Sequence, residues 1–137
     1  MTDTSRPLVL VAEDDLDTRR ILTTRLTREL QLEVVEVGDG AAALDFLGER
    51  VPDLVCVDLA LPIISGYEVC RRIRSGDRTH AVPILVVTGR DSLEDLAWAH
   101  EVGVDAFLSK PFKARVFVHN VQRLLAGRLE GGVRVAS

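Results

Sequence analysis

Charged side chains follow three separate apolar runs of this sequence. The charged residues are Glu13, Asp14, Asp58 and Lys110. Short apolar runs separated by helical patterns predict buried parallel strands. Because ligands of such sheets bind beyond the carboxyl ends of the strands, we expect these three carboxylates and one ammonium to converge on one crevice. Such a set suits a metal ion beside an anion and indicates phosphoryl chemistry.

Asp58 is the predicted nucleophile, since a carboxylate at a strand end can hold a phosphoryl group as an acyl phosphate. Two more carboxylates beside it would repel it by about 4 kcal/mol per pair at ~4 Å and an effective dielectric near 20. A Mg²⁺ ion would remove this conflict. We expect Asp14 and Asp58 to be direct ligands, Glu13 to act through water, and the backbone carbonyl of Ala60 to complete the shell.

Lys110 and Thr88 are the predicted partners of the phosphoryl group. The ammonium of Lys110 can pair with Asp58 at rest and with a phosphoryl oxygen after transfer. Thr88 ends the fourth predicted strand, and its hydroxyl could donate to another phosphoryl oxygen. Pro111 follows Lys110, so their peptide bond is a candidate for the cis form.

Predicted strands and helices alternate regularly along the chain. Strands are predicted at 8–12, 33–37, 54–57, 84–88 and 105–109. Helices are predicted around Leu22, Leu26 and Leu30, at 41–47, at 66–74, from Ser92 to Gly103, and around Phe117, Val121, Leu124 and Leu125. Ser92 and Asp95 have the spacing of a capping box. This order predicts an α/β fold, a doubly wound (βα)5 sandwich with a central five-stranded parallel sheet and a flavodoxin-like strand order.

The composition is that of one soluble globular domain. The chain has 137 residues, of which 47% are hydrophobic and 28% charged, and its net charge is −4. We expect a domain at 1–127 and a short tail at 128–137, which is too small to be an effector. The acidic charge predicts no direct nucleic-acid binding. Without a signal peptide or a membrane-length apolar run, a cytoplasmic protein with no membrane contact is expected.

Four segments resemble the receiver domain of two-component response regulators, and a stand-alone receiver is the expected form. The segments are LVLVAEDD at 8–15, PDLVCVDLALP at 52–62, PILVVTG at 83–89 and GVDAFLSKPF at 103–112. The resemblance implies that a histidine kinase or phosphotransfer protein phosphorylates Asp58. It also implies Mg²⁺ at Glu13, Asp14 and Asp58, with Thr88 and Lys110 contacting the phosphate. Its chemistry would be limited to its own phosphorylation and dephosphorylation, so it is not expected to be an enzyme in the usual sense.

The chain departs from the family pattern at positions that affect switching and phosphate loss. Ala60 and Arg90 stand where other side chains influence the hydrolytic water, and Ala60 predicts a long-lived phosphoform. Phe107 corresponds to the switch aromatic and would act with Thr88 through packing, because it has no hydroxyl. Ser65 replaces a frequent acidic residue, with an expected effect on its loop alone.

Trp98 is the candidate contact for a downstream protein, because its predicted helix belongs to the output face of the family. Receiver homodimers commonly use the same face, so a homodimer is an open alternative to a monomer. Packing at a partly exposed surface is the other interpretation of Trp98. For Ile63 and Ile64, contact with the phosphodonor and packing within the loop remain equal alternatives.

Three other functions are weighed against the receiver. A phosphorylation-independent interaction adaptor with the same fold is the main alternative, although loss of the acidic pair, Asp58 or Lys110 would have favoured it. An aspartate-nucleophile phosphatase would resemble D-x-D, and the sequence at 58–60 lacks the second aspartate. A flavodoxin-type cofactor carrier would need a phosphate-binding loop after the first strand, where the acidic residues at 13–15 would repel phosphate.

Overall fold

The structure is a computed structural model that describes residues 6–129. The strands are β1 Leu8–Ala12, β2 Glu33–Val37, β3 Leu54–Val57, β4 Ile84–Thr88 and β5 Ala106–Ser109. The helices are α1 Leu16–Thr24, α2 Gly40–Glu49, α3 Gly66–Ser75, α4 Leu93–Val102 and α5 Ala114–Leu129. Of the predicted tail, residues 130–137 lie outside the described residues, and the boundary predicted at 127 falls inside α5.

All neighbouring strands are parallel, and their order in the sheet is β2-β1-β3-β4-β5. Every residue of β1, β3 and β4 is buried, whereas the edge strands β2 and β5 are partly exposed. Apolar residues on both faces of a strand are what a parallel sheet covered by helices requires. The predicted doubly wound fold is therefore confirmed.

Alternate residues of the central strands contribute to separate cores on the two faces of the sheet. On one face Leu10 and Val86 pack in a cluster with Ile73 of α3. On the other face Val11 packs in a cluster with Phe117 of α5. The period of two along each strand produces this division, and it leaves the carboxyl ends of the strands free to form a site.

Side-chain caps fix the beginnings of four helices. The N-cap residues are Asp15, Asp39, Ser65 and Ser92, and each accepts a hydrogen bond from a backbone N–H of the first turn. At α4 the predicted capping box is confirmed, with reciprocal bonds between Ser92 and Asp95. Gly103 ends α4 with a φ of 89°, a conformation that glycine adopts without strain.

The end of the first helix differs from the predicted regular pattern. Arg25–Glu29 forms a π-helical turn after α1, closed by a hydrogen bond of 3.3 Å from the Leu30 N–H to the Arg25 carbonyl. Leu26 within this turn is buried. Apolar spacing alone cannot distinguish such a turn from a continuing α-helix, because the same face stays in the core. No helix among residues 6–129 is long and apolar enough to span a membrane.

Candidate phosphoacceptor site

The predicted site residues meet at the carboxyl edge of the sheet. Glu13 and Asp14 follow β1, Asp58 follows the adjacent β3, and Thr88 is the last residue of β4. Lys110 follows β5, and its backbone N–H donates to the Thr88 carbonyl over 2.9 Å. Parallel pairing of these four strands therefore brings distant parts of the sequence to one crevice.

Asp58 is almost fully buried, with 5% of its surface exposed, and three donors hold its carboxylate. Its Oδ1 accepts from the Thr88 hydroxyl at 2.6 Å and from the Ala60 N–H at 3.0 Å, while Oδ2 accepts from Lys110 Nζ at 2.8 Å. Burial alone would raise the pKa of Asp58, but these hydrogen bonds outweigh it and lower the pKa. The carboxylate is therefore ionised and oriented.

Glu13 shares the same ammonium but has a different environment. It is 1% exposed; its Oε1 accepts from Lys110 Nζ at 2.9 Å and its Oε2 from the Asp15 N–H at 3.1 Å. Burial raises the pKa of Glu13 above its ordinary value, because its hydrogen bonds do not fully offset desolvation and the nearby charge of Asp58. Burial would lower the pKa of Lys110, but the hydrogen bonds to both acids raise it.

Glu13, Asp14 and Asp58 form an acidic cluster that could bind a metal ion. Each offers a carboxylate oxygen within 4.8 Å of the others, and Asp14 is exposed on the solvent side. Three carboxylate oxygens form a hard donor set that fits Mg²⁺. Ala60 lines the adjoining cleft of about 450 Å³ together with Asp14.

The loop between β3 and α3 packs tightly beneath the site. A Cβ on Gly66 would lie 2.0 Å from the Asp58 carbonyl oxygen, so only glycine fits there. Ser65 caps α3, as its side chain accepts from the Glu68 N–H. Ile63 is 79% exposed at a φ of 70°, which is unusual for a β-branched residue. The Lys110–Pro111 peptide bond is cis.

Phe107 and Trp98 are the candidate switch and partner-contact residues. Both are partly buried against the core cluster that contains Val86. The rings of Trp98 and Tyr67 meet edge to face with centroids 4.9 Å apart. Trp98 is therefore half-buried, and the neighbouring α4 residues Leu93 and Leu96 are more exposed.

Tyr67 and Asp95 interact in a way that sequence reasoning did not predict. The Tyr67 hydroxyl donates to Asp95 Oδ1 at 2.5 Å and joins the beginnings of α3 and α4. Arg90, one of the departures from the family pattern, lines the cleft with Tyr67, and its N–H donates to the Thr88 hydroxyl oxygen at 3.2 Å. Local patterns hold no signal for a contact between residues 28 positions apart.

Comparison with known proteins identifies the class of α/β domain to which this crevice and this parallel sheet belong. The sequence profile of the response regulator receiver domain matches residues 9–122. The chain belongs to the response regulator receiver family. Its relatives include the DNA-binding response regulator MtrA of Mycobacterium tuberculosis, 37% identical over 123 residues, which are 90% of this chain and 52% of that protein. The chain thus spans about half the length of the curated relatives it matches.

Solved structures support the same assignment. The chemotaxis response regulator CheY4 of Vibrio cholerae has a TM-score of 0.80 and 26% identity, covering 88% of this chain and all of its own. The receiver domain of the sensor histidine kinase PA1611 from Pseudomonas aeruginosa has a TM-score of 0.77 and 26% identity, covering 89% of this chain and 99% of its own. That structure is described with a magnesium ion coordinated in its active site cleft.

The prediction of no direct nucleic-acid binding is wrong. MtrA, which is among the relatives, is named a DNA-binding response regulator. The prediction rested on a net charge of −4 counted over this chain, and MtrA extends well beyond the part that aligns with it. A charge counted over one domain cannot exclude nucleic-acid binding for the proteins in which such a domain occurs.

Proposed function

We propose that the protein accepts a phosphoryl group on Asp58 from a histidine kinase or phosphotransfer protein. One observation carries this proposal: a buried carboxylate is held by three donors and lies within 4.8 Å of two further carboxylates. A charged residue that merely ended a strand would not need three hydrogen-bond donors and two neighbouring carboxylates. The phosphorylation-independent adaptor is not favoured, because every residue that the chemistry needs is present.

The geometry supports the following phosphoryl transfer. A carboxylate oxygen of Asp58 forms the new bond to phosphorus while the bond from phosphorus to the donor imidazole nitrogen breaks, and the imidazole leaves. Lys110 Nζ and the Thr88 hydroxyl can then donate to the transferred phosphoryl oxygens.

Mg²⁺ is the proposed cofactor. Asp14 and Asp58 would bind it directly, Glu13 through water, and Ala60 with its carbonyl. Bound Mg²⁺ supplies the positive charge that lets three carboxylates and a phosphoryl group share one crevice. The protein's own chemistry is limited to this phosphorylation and its reversal by water.

The output is a change in the surface formed by α4, β5 and α5. The Thr88 hydroxyl exchanges its hydrogen bond to Asp58 for one to a phosphoryl oxygen, Phe107 repacks beside Thr88, and the altered surface around Trp98 binds a protein partner. Both cysteines, Cys56 and Cys70, are free and buried, which suits the reducing cytoplasm that we propose as the compartment.

Acetyl phosphate with Mg²⁺ tests the phosphorylation. We expect the intact mass to rise by one phosphoryl group, and the increase to disappear with EDTA or in Asp58→Asn. The matched control is Asp91→Asn, an exposed aspartate outside the acidic cluster, which should be modified like the wild type. Equal modification of Asp58→Asn and the wild type would contradict the proposal.

The phosphorylated protein is expected to lose its phosphate slowly. Ala60 has no polar side-chain atom with which to orient a water molecule for attack on the phosphorus. Replacing it by Asn should speed the loss by at least about tenfold, because positioning a reactant lowers the barrier. The decay of the phosphorylated mass after removal of the donor measures both rates. Loss from the wild type within seconds would contradict this prediction.

A further inference from the structure

A polar contact joins the cleft beside Asp58 to the first turn of α4. The Tyr67 hydroxyl donates to Asp95 Oδ1, while Oδ2 of the same carboxylate accepts from the N–H and the hydroxyl of Ser92. Asp95 therefore caps its own helix and also holds the Tyr67 hydroxyl of α3. The hydrogen bonds from Tyr67 and Ser92 lower the pKa of Asp95, so the acceptor is ionised.

The helix α4 lies near the surface, with Trp98 and Val102 partly buried against the core cluster that contains Val86. Of its ten residues Ala99 alone is buried. Its far end is fixed by Arg74, whose Nε and Nη2 donate to the Gly103 carbonyl at 3.0 and 2.8 Å. The Tyr67–Asp95 hydrogen bond is the corresponding contact at the first turn, so its loss would free that end while Arg74 retains the other.

The residues of this contact are also connected to Asp58. Tyr67 follows Gly66, whose Cα lies against the backbone of Asp58. Tyr67 lines the same cleft as Asp14, Ala60 and Arg90.

Arg90 links this cleft to both partners of the contact. It stands two residues before Ser92, and its N–H donates to the Thr88 hydroxyl oxygen, which in turn donates to Asp58. Burial and the hydrogen bond to Asp95 raise the pKa of Tyr67, and the positive charge of Arg90 opposes both. The positive charge of the Arg90 guanidinium thus lowers the pKa of both Tyr67 and Asp95.

We propose that the Tyr67–Asp95 hydrogen bond holds the first turn of α4 in the unmodified protein and breaks when a phosphoryl group fills the cleft. This inference rests on the proposed phosphorylation of Asp58. A phosphoryl group brings about two negative charges and strong acceptor oxygens to the cleft. Those oxygens compete with Asp95 for the guanidinium of Arg90 and for the Tyr67 hydroxyl. Tyr67 is a positioning residue in this account, since it acts through α4.

Hydrogen exchange with beryllofluoride and Mg²⁺ tests this proposal. Bound beryllofluoride mimics the phosphoryl group, and its ¹⁹F NMR signal reports occupancy of the Asp58 site independently of α4. In the wild type we expect the rate of amide exchange in residues 92–97 to rise severalfold when beryllofluoride binds at Asp58. The fluorescence of Trp98, the only tryptophan in the sequence, should change at the same time, because the Trp98 and Tyr67 rings meet edge to face.

Tyr67→Phe keeps the ring and removes the hydroxyl, so it separates the hydrogen bond from the packing. We expect its α4 exchange to be fast before beryllofluoride is added and to change little afterwards, although the ¹⁹F signal still appears. Glu94→Gln, an exposed neighbour on the same turn, is the matched control and should respond like the wild type.

The failures of the two proposals have different signatures. If the wild type gives no bound ¹⁹F signal, the proposed function fails. If the signal appears but exchange in α4 is unchanged in the wild type, or rises equally in the wild type and in Tyr67→Phe from the same starting rate, the Tyr67–Asp95 inference is overturned. The wild-type measurement decides even where the Phe variant folds poorly.

Discussion

Replacing Lys110 by Met is expected to slow phosphorylation of Asp58 by acetyl phosphate by about 100-fold, the loss typical for one donor aimed at developing negative charge. The same change should strengthen Mg²⁺ binding, because the ammonium is a cation that contacts two of the three acids of the metal cluster. A slower reaction with a more tightly bound metal distinguishes the loss of a phosphate donor from general damage to the site.

The variant should also lose stability in metal-free buffer. The Lys110 ammonium lies 2.8 Å from Asp58 and 2.9 Å from the almost fully buried Glu13. Removing one partner from a buried ion pair costs about 3 kcal/mol. Mg²⁺ should raise the melting temperature of Lys110→Met more than that of the wild type, since it binds only the folded form.

Lys113→Met is the matched control for both readouts. This lysine lies in the same connection between β5 and α5 but is exposed. The Lys113→Met variant should be phosphorylated, bind Mg²⁺ and melt like the wild type. Unchanged phosphorylation in Lys110→Met, or weaker Mg²⁺ binding than in the wild type, would contradict the role given to Lys110.

Gly66→Ala is expected to destabilise the fold by about 3 kcal/mol, at the upper end of what overpacking costs. The added Cβ would stand 2.0 Å from the Asp58 carbonyl oxygen and 2.7 Å from the Leu59 Cα. Both atoms belong to the backbone, so no side-chain rotation can relieve the clash. The strand end that carries Asp58 would have to shift, and phosphorylation should fall with the stability.

Gly48→Ala is expected to have the opposite effect on the free energy of unfolding. Gly48 lies in α2, and a Cβ added there would meet nothing within 4 Å. Alanine favours the helix by about 1 kcal/mol over glycine, so this variant should be more stable than the wild type. Urea unfolding of the three proteins compares them directly. Equal stability of Gly66→Ala and the wild type would show that the backbone contact is not as close as described.

The sequence contained enough information to predict the strands and the location of the site. Apolar runs determine both, because a strand such as β3 must be buried on both faces and Asp58 is the first charged residue after its apolar run. The four strands that end at the site, β1, β3, β4 and β5, lie side by side in the sheet. Residues that directly follow these parallel strands in the sequence therefore meet at one edge of the sheet.

Contacts that depend on tertiary distances could not be predicted in the same way. The clash that reserves position 66 for glycine, and the hydrogen bond from Tyr67 to Asp95, depend on how the β3–α3 loop folds back. The unequal pKa shifts of Glu13 and Asp58 depend on how many donors each carboxylate finds and how deeply it is buried. Residue type and spacing specify neither quantity.

Reductive trapping tests the central claim most directly. Borohydride converts an acyl phosphate on aspartate to homoserine, so treatment after acetyl phosphate and Mg²⁺ marks the phosphorylated side chain permanently. Peptide mass spectrometry should find the conversion at Asp58 and nowhere else. Conversion at Glu13, Asp14 or another acid in place of Asp58, or none in protein that carries the phosphoryl mass, would contradict the assignment of Asp58 as the acceptor.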